Sequence, residues 1–86
     1  MLITKAVAEL LGSFFFYSII LLQGQPIPVA AALLAACYFA GGAYNPAVSI
    51  MQLISNKIDA LECFVFIVAQ LAAAVLAIVY ARSSFA

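Results

Sequence analysis

The chain has 86 residues, of which 70% are hydrophobic and 7% charged, with three basic and three acidic side chains and no histidine. Such a composition excludes a small soluble domain and predicts a multi-pass integral membrane protein surrounded by lipid, while zero formal net charge gives no attraction to nucleic acid. Without a histidine or a nucleophile–base pair there is no basis for an enzyme; Cys37 and Cys63 sit in apolar stretches without metal or disulfide spacing, so no metal and no cofactor is expected.

Taken in order, residues 2–22 form the first expected span, about 31 Å if helical, against a hydrocarbon core of about 30 Å. Lys5 before an apolar run has the look of a signal peptide. Two later apolar runs, and no small-x-small cleavage site before Gln23, favour a permanent helix instead. Lys5 is near enough to the end to snorkel. Glu9, two turns in, must face protein or water: it is either a partly hydrated interfacial carboxylate or a buried acceptor for otherwise unpaired N–H groups. Gln23-Gly24-Gln25-Pro26 then turns the chain back. Residues 27–40 make only about 21 Å of helix, which suits either a discontinuous helix beside a binding site or a tilted helix in a thin membrane.

Gly41-Gly42-Ala43-Tyr44-Asn45-Pro46-Ala47-Val48-Ser49 is the stretch around which the rest is arranged. The glycines break the preceding helix, and Asn45-Pro46 reads as an N-cap followed by proline at the first helical position. From Pro46 to Ser55 the new helix spans about 15 Å, enough to enter a bilayer but not to cross it. Its N-terminal N–H groups and positive dipole end would lie at membrane depth, where they need protein or a wet cavity. Asn45, Ser49, Gln52 and Asn56 share one face, which either lines a water path or packs against another helix. Asn56-Lys57-Ile58-Asp59 returns the chain to the surface it came from. The last span, 61–81, carries Gln70 near mid-depth, a side chain that needs protein or water around it. Small residues recur every four positions at Thr4, Ala8 and Gly12, at Ala32, Ala36 and Ala40, and at Ala69, Ala73 and Ala77, as in tightly packed membrane bundles.

Three segments together resemble the aquaporins and aquaglyceroporins, the major intrinsic proteins. Ala8-Glu9-Leu10-Leu11-Gly12-Ser13-Phe14 is similar to the first-helix motif of that family, Gly42-Ala43-Tyr44-Asn45-Pro46-Ala47-Val48-Ser49 to its signature loop, and Ala69-Gln70 to the motif of its third helix. The resemblance covers the whole chain but only half of a family member. It implies an all-α membrane fold in which residues 1–86 are a single half-repeat: three transmembrane helices plus one re-entrant loop and half-helix at 41–55. Antiparallel dimerisation of two copies with dual topology would complete a pore, and four pores, or eight chains, could associate. The charges permit both orientations, with Lys5 and Lys57 on one side and Arg82 on the other.

By the same resemblance, the function is a passive channel for water or small uncharged solutes such as glycerol, the pore being lined by Gly42, Ala43, Tyr44, Asn45, Pro46, Ala47, Val48 and Ser49. Asn45 would offer its amide to the solute, and the carbonyls of Gly42, Ala43 and Tyr44 would act as acceptors. Glu9 and Gln70 would brace the loop. The family's filter arginine is replaced by Val48, so the constriction would be apolar, with Val29 or Leu33 as its partner on the second helix. The rival reading is a non-conducting structural or regulatory subunit that associates with itself or with a full-length channel.

Overall fold

The computed structural model describes residues 1–39 and 42–85; Ala40, which belongs to one of the small-residue stripes, and Gly41, expected as a helix breaker, lie outside the described residues. The described residues form four helices and no strand: α1 Leu2–Leu22, α2 Pro26–Phe39, α3 Pro46–Ile54 and α4 Ala60–Phe85. Two of them, Leu2–Leu22 and Ala60–Ser83, are long and apolar enough to cross a membrane, whereas α2 is apolar but has only 14 residues. The long axis of the molecule is 41 Å, comparable with a bilayer including its headgroups.

Local chemistry sets the helix ends. Pro26 opens α2 one residue earlier than expected, a position where its missing N–H costs nothing. Asn45 caps α3 by accepting from the Ala47 N–H at 2.8 Å, and Pro46 follows as its first residue. At the other end of α3, Asn56 takes φ +61°, the Lys57 N–H donates to the Gln52 carbonyl at 2.8 Å, and the Asn56 N–H donates to Leu53 at 3.1 Å. This is a Schellman closure with asparagine in the left-handed position. Three residues later Asp59 and Glu62 form a reciprocal capping box: the Glu62 N–H donates to Asp59 Oδ1 at 2.7 Å, and the Asp59 N–H to Glu62 Oε1 at 3.2 Å. The helix it starts, α4, runs to Phe85 and so exceeds the expected span of 61–81.

The core is the contact between α1 and α4, with α2 packed on α1 and α3 on α4. On α4 the buried positions are Cys63, Phe66, Gln70, Ala73 and Ala77, spaced three and four apart in turn, which is the narrow seam of a coiled-coil-like contact. Helix α1 buries Glu9, Gly12, Ser13 and Ser18, with Ser18 on the opposite face of the helix from Glu9. Large apolar side chains point the other way: Leu11, Phe64, Leu71, Val75 and Val79 are all exposed. Polar and small groups, with Phe66 and Tyr44, therefore occupy the interior, and most bulky apolar groups lie outside.

Removing the cap of α4 tests this description. Asp59→Ala is expected to cost about 1 kcal/mol of local stability, seen as faster hydrogen exchange at the first-turn amides of α4, with the α1–α4 core amides unchanged.

Candidate functional site

Residues 42–45 leave α2 and enter α3 across the polar centre of the α1–α4 seam. Glu9 reaches them from α1. Its Oε1 accepts from the Ala43 N–H at 2.5 Å and its Oε2 from the Tyr44 N–H at 3.0 Å. From α4, Gln70 Nε2 donates to Glu9 Oε2 at 3.2 Å and to Ser49 Oγ at 2.9 Å. The two carboxylate oxygens thus meet only donors, and one amide joins α1, α3 and α4. Glu9, Ser49 and Gln70 are each no more than 2% exposed, so the bonds of Glu9 to Tyr44 and Gln70 and of Gln70 to Ser49 form away from solvent, where an unmatched partner is costly, while the Ala43 bond is part-buried.

Tyr44 fills the space beneath the loop. Its hydroxyl donates to the Ala36 carbonyl at 2.7 Å and accepts from the Gly42 N–H at 2.9 Å, tying the end of α2 to the loop. Its ring lies against Gly12: a Cβ there would overlap the ring and stand 2.8 Å from the hydroxyl. Gly42 is equally confined, since a Cβ would fall 2.7 Å from Glu9 Oε1. The backbone of Tyr44 has φ +58°, a left-handed conformation that costs a bulky residue on the order of 1–3 kcal/mol. The bonds to Glu9, together with that of the Tyr17 hydroxyl to the Tyr44 carbonyl at 2.6 Å, hold it there.

The positions singled out in the sequence therefore have different surroundings. Glu9 and Gln70 meet at the loop. Asn45 and Ala47 are exposed, Pro46 and Val48 are half-buried, and Gly42 and Ala43 are partly open. Tyr44 and Ser49, expected along a pore, are instead buried at 1% and 0% exposure, because Tyr44 turns inward onto Gly12 and Ser49 packs against α4. The shared face of Asn45, Ser49, Gln52 and Asn56 divides accordingly, with only Ser49 sealed against another helix. Val29 is half-buried and Leu33 exposed on α2, and α2 makes no packing contact with α3, so neither approaches Val48 within one chain.

A partly open cavity of about 260 Å³ lies beside the brace, with Lys5, Glu9, Gly42, Ala43, Gln52 and Lys57 in its wall. The Lys5 ammonium and Glu62 carboxylate form an ion pair at 2.9 Å, joining the starts of α1 and α4 at that end. Among the described residues no group of side chains could hold a metal ion.

Sequence reading missed Tyr17, Tyr44 as an internal prop, and the Lys5–Glu62 pair. Only Gly12 carried a usable signal, as the smallest member of the Thr4, Ala8 and Gly12 stripe. No protein-family model, curated protein or solved structure matches the chain.

Two substitutions test the site. Glu9→Gln presents an amide N–H2 to one loop N–H and should cost about 1–3 kcal/mol in unfolding measurements in detergent. Gly12→Ala gains up to about 1 kcal/mol of helix propensity but drives a methyl into a ring whose hydroxyl is pinned at both ends, so net destabilisation of about 1–3 kcal/mol is expected. Because both changes act through Tyr44, their effects in the double variant should fall short of the sum.

Proposed function

We propose that the chain is a half-repeat of the aquaporin type and forms a passive channel for water and small uncharged solutes such as glycerol, two copies in opposite orientations making one pore. The observation that carries this reading is the loop arrangement. Glu9 takes up the N–H groups of Ala43 and Tyr44, and Asn45 caps α3 with its oxygen. That leaves the Asn45 amide nitrogen, on an exposed residue, without an acceptor among the described residues. An amide donor beside a positive helix end suits a solute oxygen and disfavours a cation.

Several features support the membrane setting and the second copy. The inverted distribution, with Glu9, Ser13, Ser49 and Gln70 inside and large apolar side chains outside, suits lipid and leaves an extensive apolar surface unexplained in water. In this reading α1, α2 and α4 cross the membrane and 42–54 re-enters it as a loop and half-helix; α3 at nine residues spans about 13 Å, too short to cross. The separation of α2 from α3 supports the paired pore. An apolar constriction made of Val48 with Val29 or Leu33 needs the α2 of a second copy. The cavity lined by Glu9, Ala43 and Gln52 would be the mouth of each half-pore.

Stopped-flow light scattering on liposomes containing only this chain tests the reading. Shrinkage in a sucrose gradient should be faster than in empty liposomes, a glycerol gradient should give re-swelling faster than in empty liposomes if glycerol passes, and Val48→Trp should reduce the flux severalfold while the oligomer survives. Rates equal to empty liposomes, with the chain inserted and oligomeric, would favour the non-conducting subunit.

A further inference from the structure

We infer that Tyr17 is a positioning residue for the Asn45 amide and acts through the peptide plane between Tyr44 and Asn45. The geometry stands on its own; its consequence for flux rests on the channel reading above.

Three consecutive peptide planes of the loop are held from α1. The Ala43 N–H belongs to the plane between residues 42 and 43, the Tyr44 N–H to the next, and both bond to Glu9. The Tyr44 carbonyl belongs to the third plane, the one that ends at the nitrogen of Asn45, and the Tyr17 hydroxyl donates to it at 2.6 Å. Glu9 and Tyr17 are eight residues apart on one helix, a rise of about 12 Å, so α1 grips the loop at two separated levels.

The third grip is the one that bears on Asn45. Glu9 fixes what precedes the Tyr44 Cα atom, but rotation about ψ of Tyr44 could still swing the following plane. Tyr44 sits at φ +58°, a conformation that a bulky residue leaves readily when released. Its own hydroxyl bonds to Ala36 and Gly42, which anchor the ring and not the plane beyond it. Asn45 itself has extended backbone, φ −157° and ψ 127°, and among the described residues its side chain has a single bond, to the Ala47 N–H. The direction of its free amide N–H groups therefore follows the plane that Tyr17 holds.

The same bond changes what the loop offers a solute. Occupied by Tyr17 and buried with its residue, the Tyr44 carbonyl is withdrawn from the set of acceptors, leaving the carbonyls of Gly42 and Ala43 beside the Asn45 donor. A ladder of three carbonyls is reduced to two.

Tyr17→Phe removes only the hydroxyl, and Tyr80→Phe on α4 is the control. The full chain in lipid is labelled with 15N at the Asn45 side chain and 13C at the Tyr44 carbonyl for solid-state NMR, and its water and glycerol permeabilities are measured in parallel. With Tyr17→Phe the Tyr44 carbonyl should shift upfield and the Asn45 amide should move or split. Water flux should drop about fivefold, the factor equivalent to one ordinary hydrogen bond, with a changed water-to-glycerol ratio and an unchanged oligomer. Tyr80→Phe should alter none of these. If Tyr17→Phe fails to assemble, 3,5-difluorotyrosine at position 17 keeps the ring and strengthens the donor, and both resonances should shift in the opposite sense. An Asn45 resonance that ignores both changes at position 17 overturns the assignment. If the unmodified chain conducts nothing, the channel reading fails and the Asn45 resonance still decides the positioning role.

Discussion

A backbone N–H removed from water needs an acceptor, and the loop between α2 and α3 presents two in succession, at Ala43 and Tyr44, to a single carboxylate on α1. Most other features of the chain follow from seating that carboxylate. Glu9 is buried at 2% exposure, so it requires a full set of donors; Gln70 supplies the remaining one from α4 and passes the connection on to Ser49 of α3. The network thereby links three helices and the loop through three side chains and two backbone N–H groups, inside a chain with few polar groups to spend. Fully buried Ala73 and Ala77 let α4 pack closely in the core, and Gly12 leaves room on α1 for the Tyr44 ring.

Tyr44 is the second condition. A bulky residue at φ +58° is unfavourable by itself, and here its ring against Gly12, its hydroxyl on Ala36 and its carbonyl under Tyr17 make the alternatives worse. Strain held in this way by surrounding structure is typical of sites where a backbone has to present one group in a fixed direction. In the proposed reading the group presented is the Asn45 amide, at the start of a helix. In the proposed channel that fixed donor, an apolar Val48 and the positive end of α3 together select a small neutral solute over an ion.

Much of this was legible in the residues because the signals are local. Asn45-Pro46 specified the start of α3, the polar 23–25 turn the end of α1, and hydropathy the two long helices. Glu9 and Gln70 stood out because polar side chains in apolar helices need partners, although their meeting at the loop is a matter of three-dimensional arrangement. Tyr17 and Tyr44 were illegible for a different reason: an aromatic in an apolar segment reads as filler, and nothing local marks one hydroxyl as aimed at a backbone carbonyl 27 residues away. The shared face of Asn45, Ser49, Gln52 and Asn56 was ambiguous because helical periodicity gives the face and not its neighbour. Ser49 was resolved by α4, whose register against α3 depends on the whole bundle.

The most direct measurement concerns where the loop sits. A chain carrying Ala47→Cys, with Cys37→Ala and Cys63→Ala, can be spin-labelled in liposomes and its depth read from the relative relaxation by oxygen and by a water-soluble nickel complex. Its reactivity toward a small hydrophilic thiol reagent is measured on the unlabelled chain. A depth near the bilayer centre combined with ready reaction from water is the predicted result, since position 47 would lie at the start of a re-entrant helix beside a wet pore. A label at headgroup depth, or one at the centre that the reagent never reaches, contradicts it.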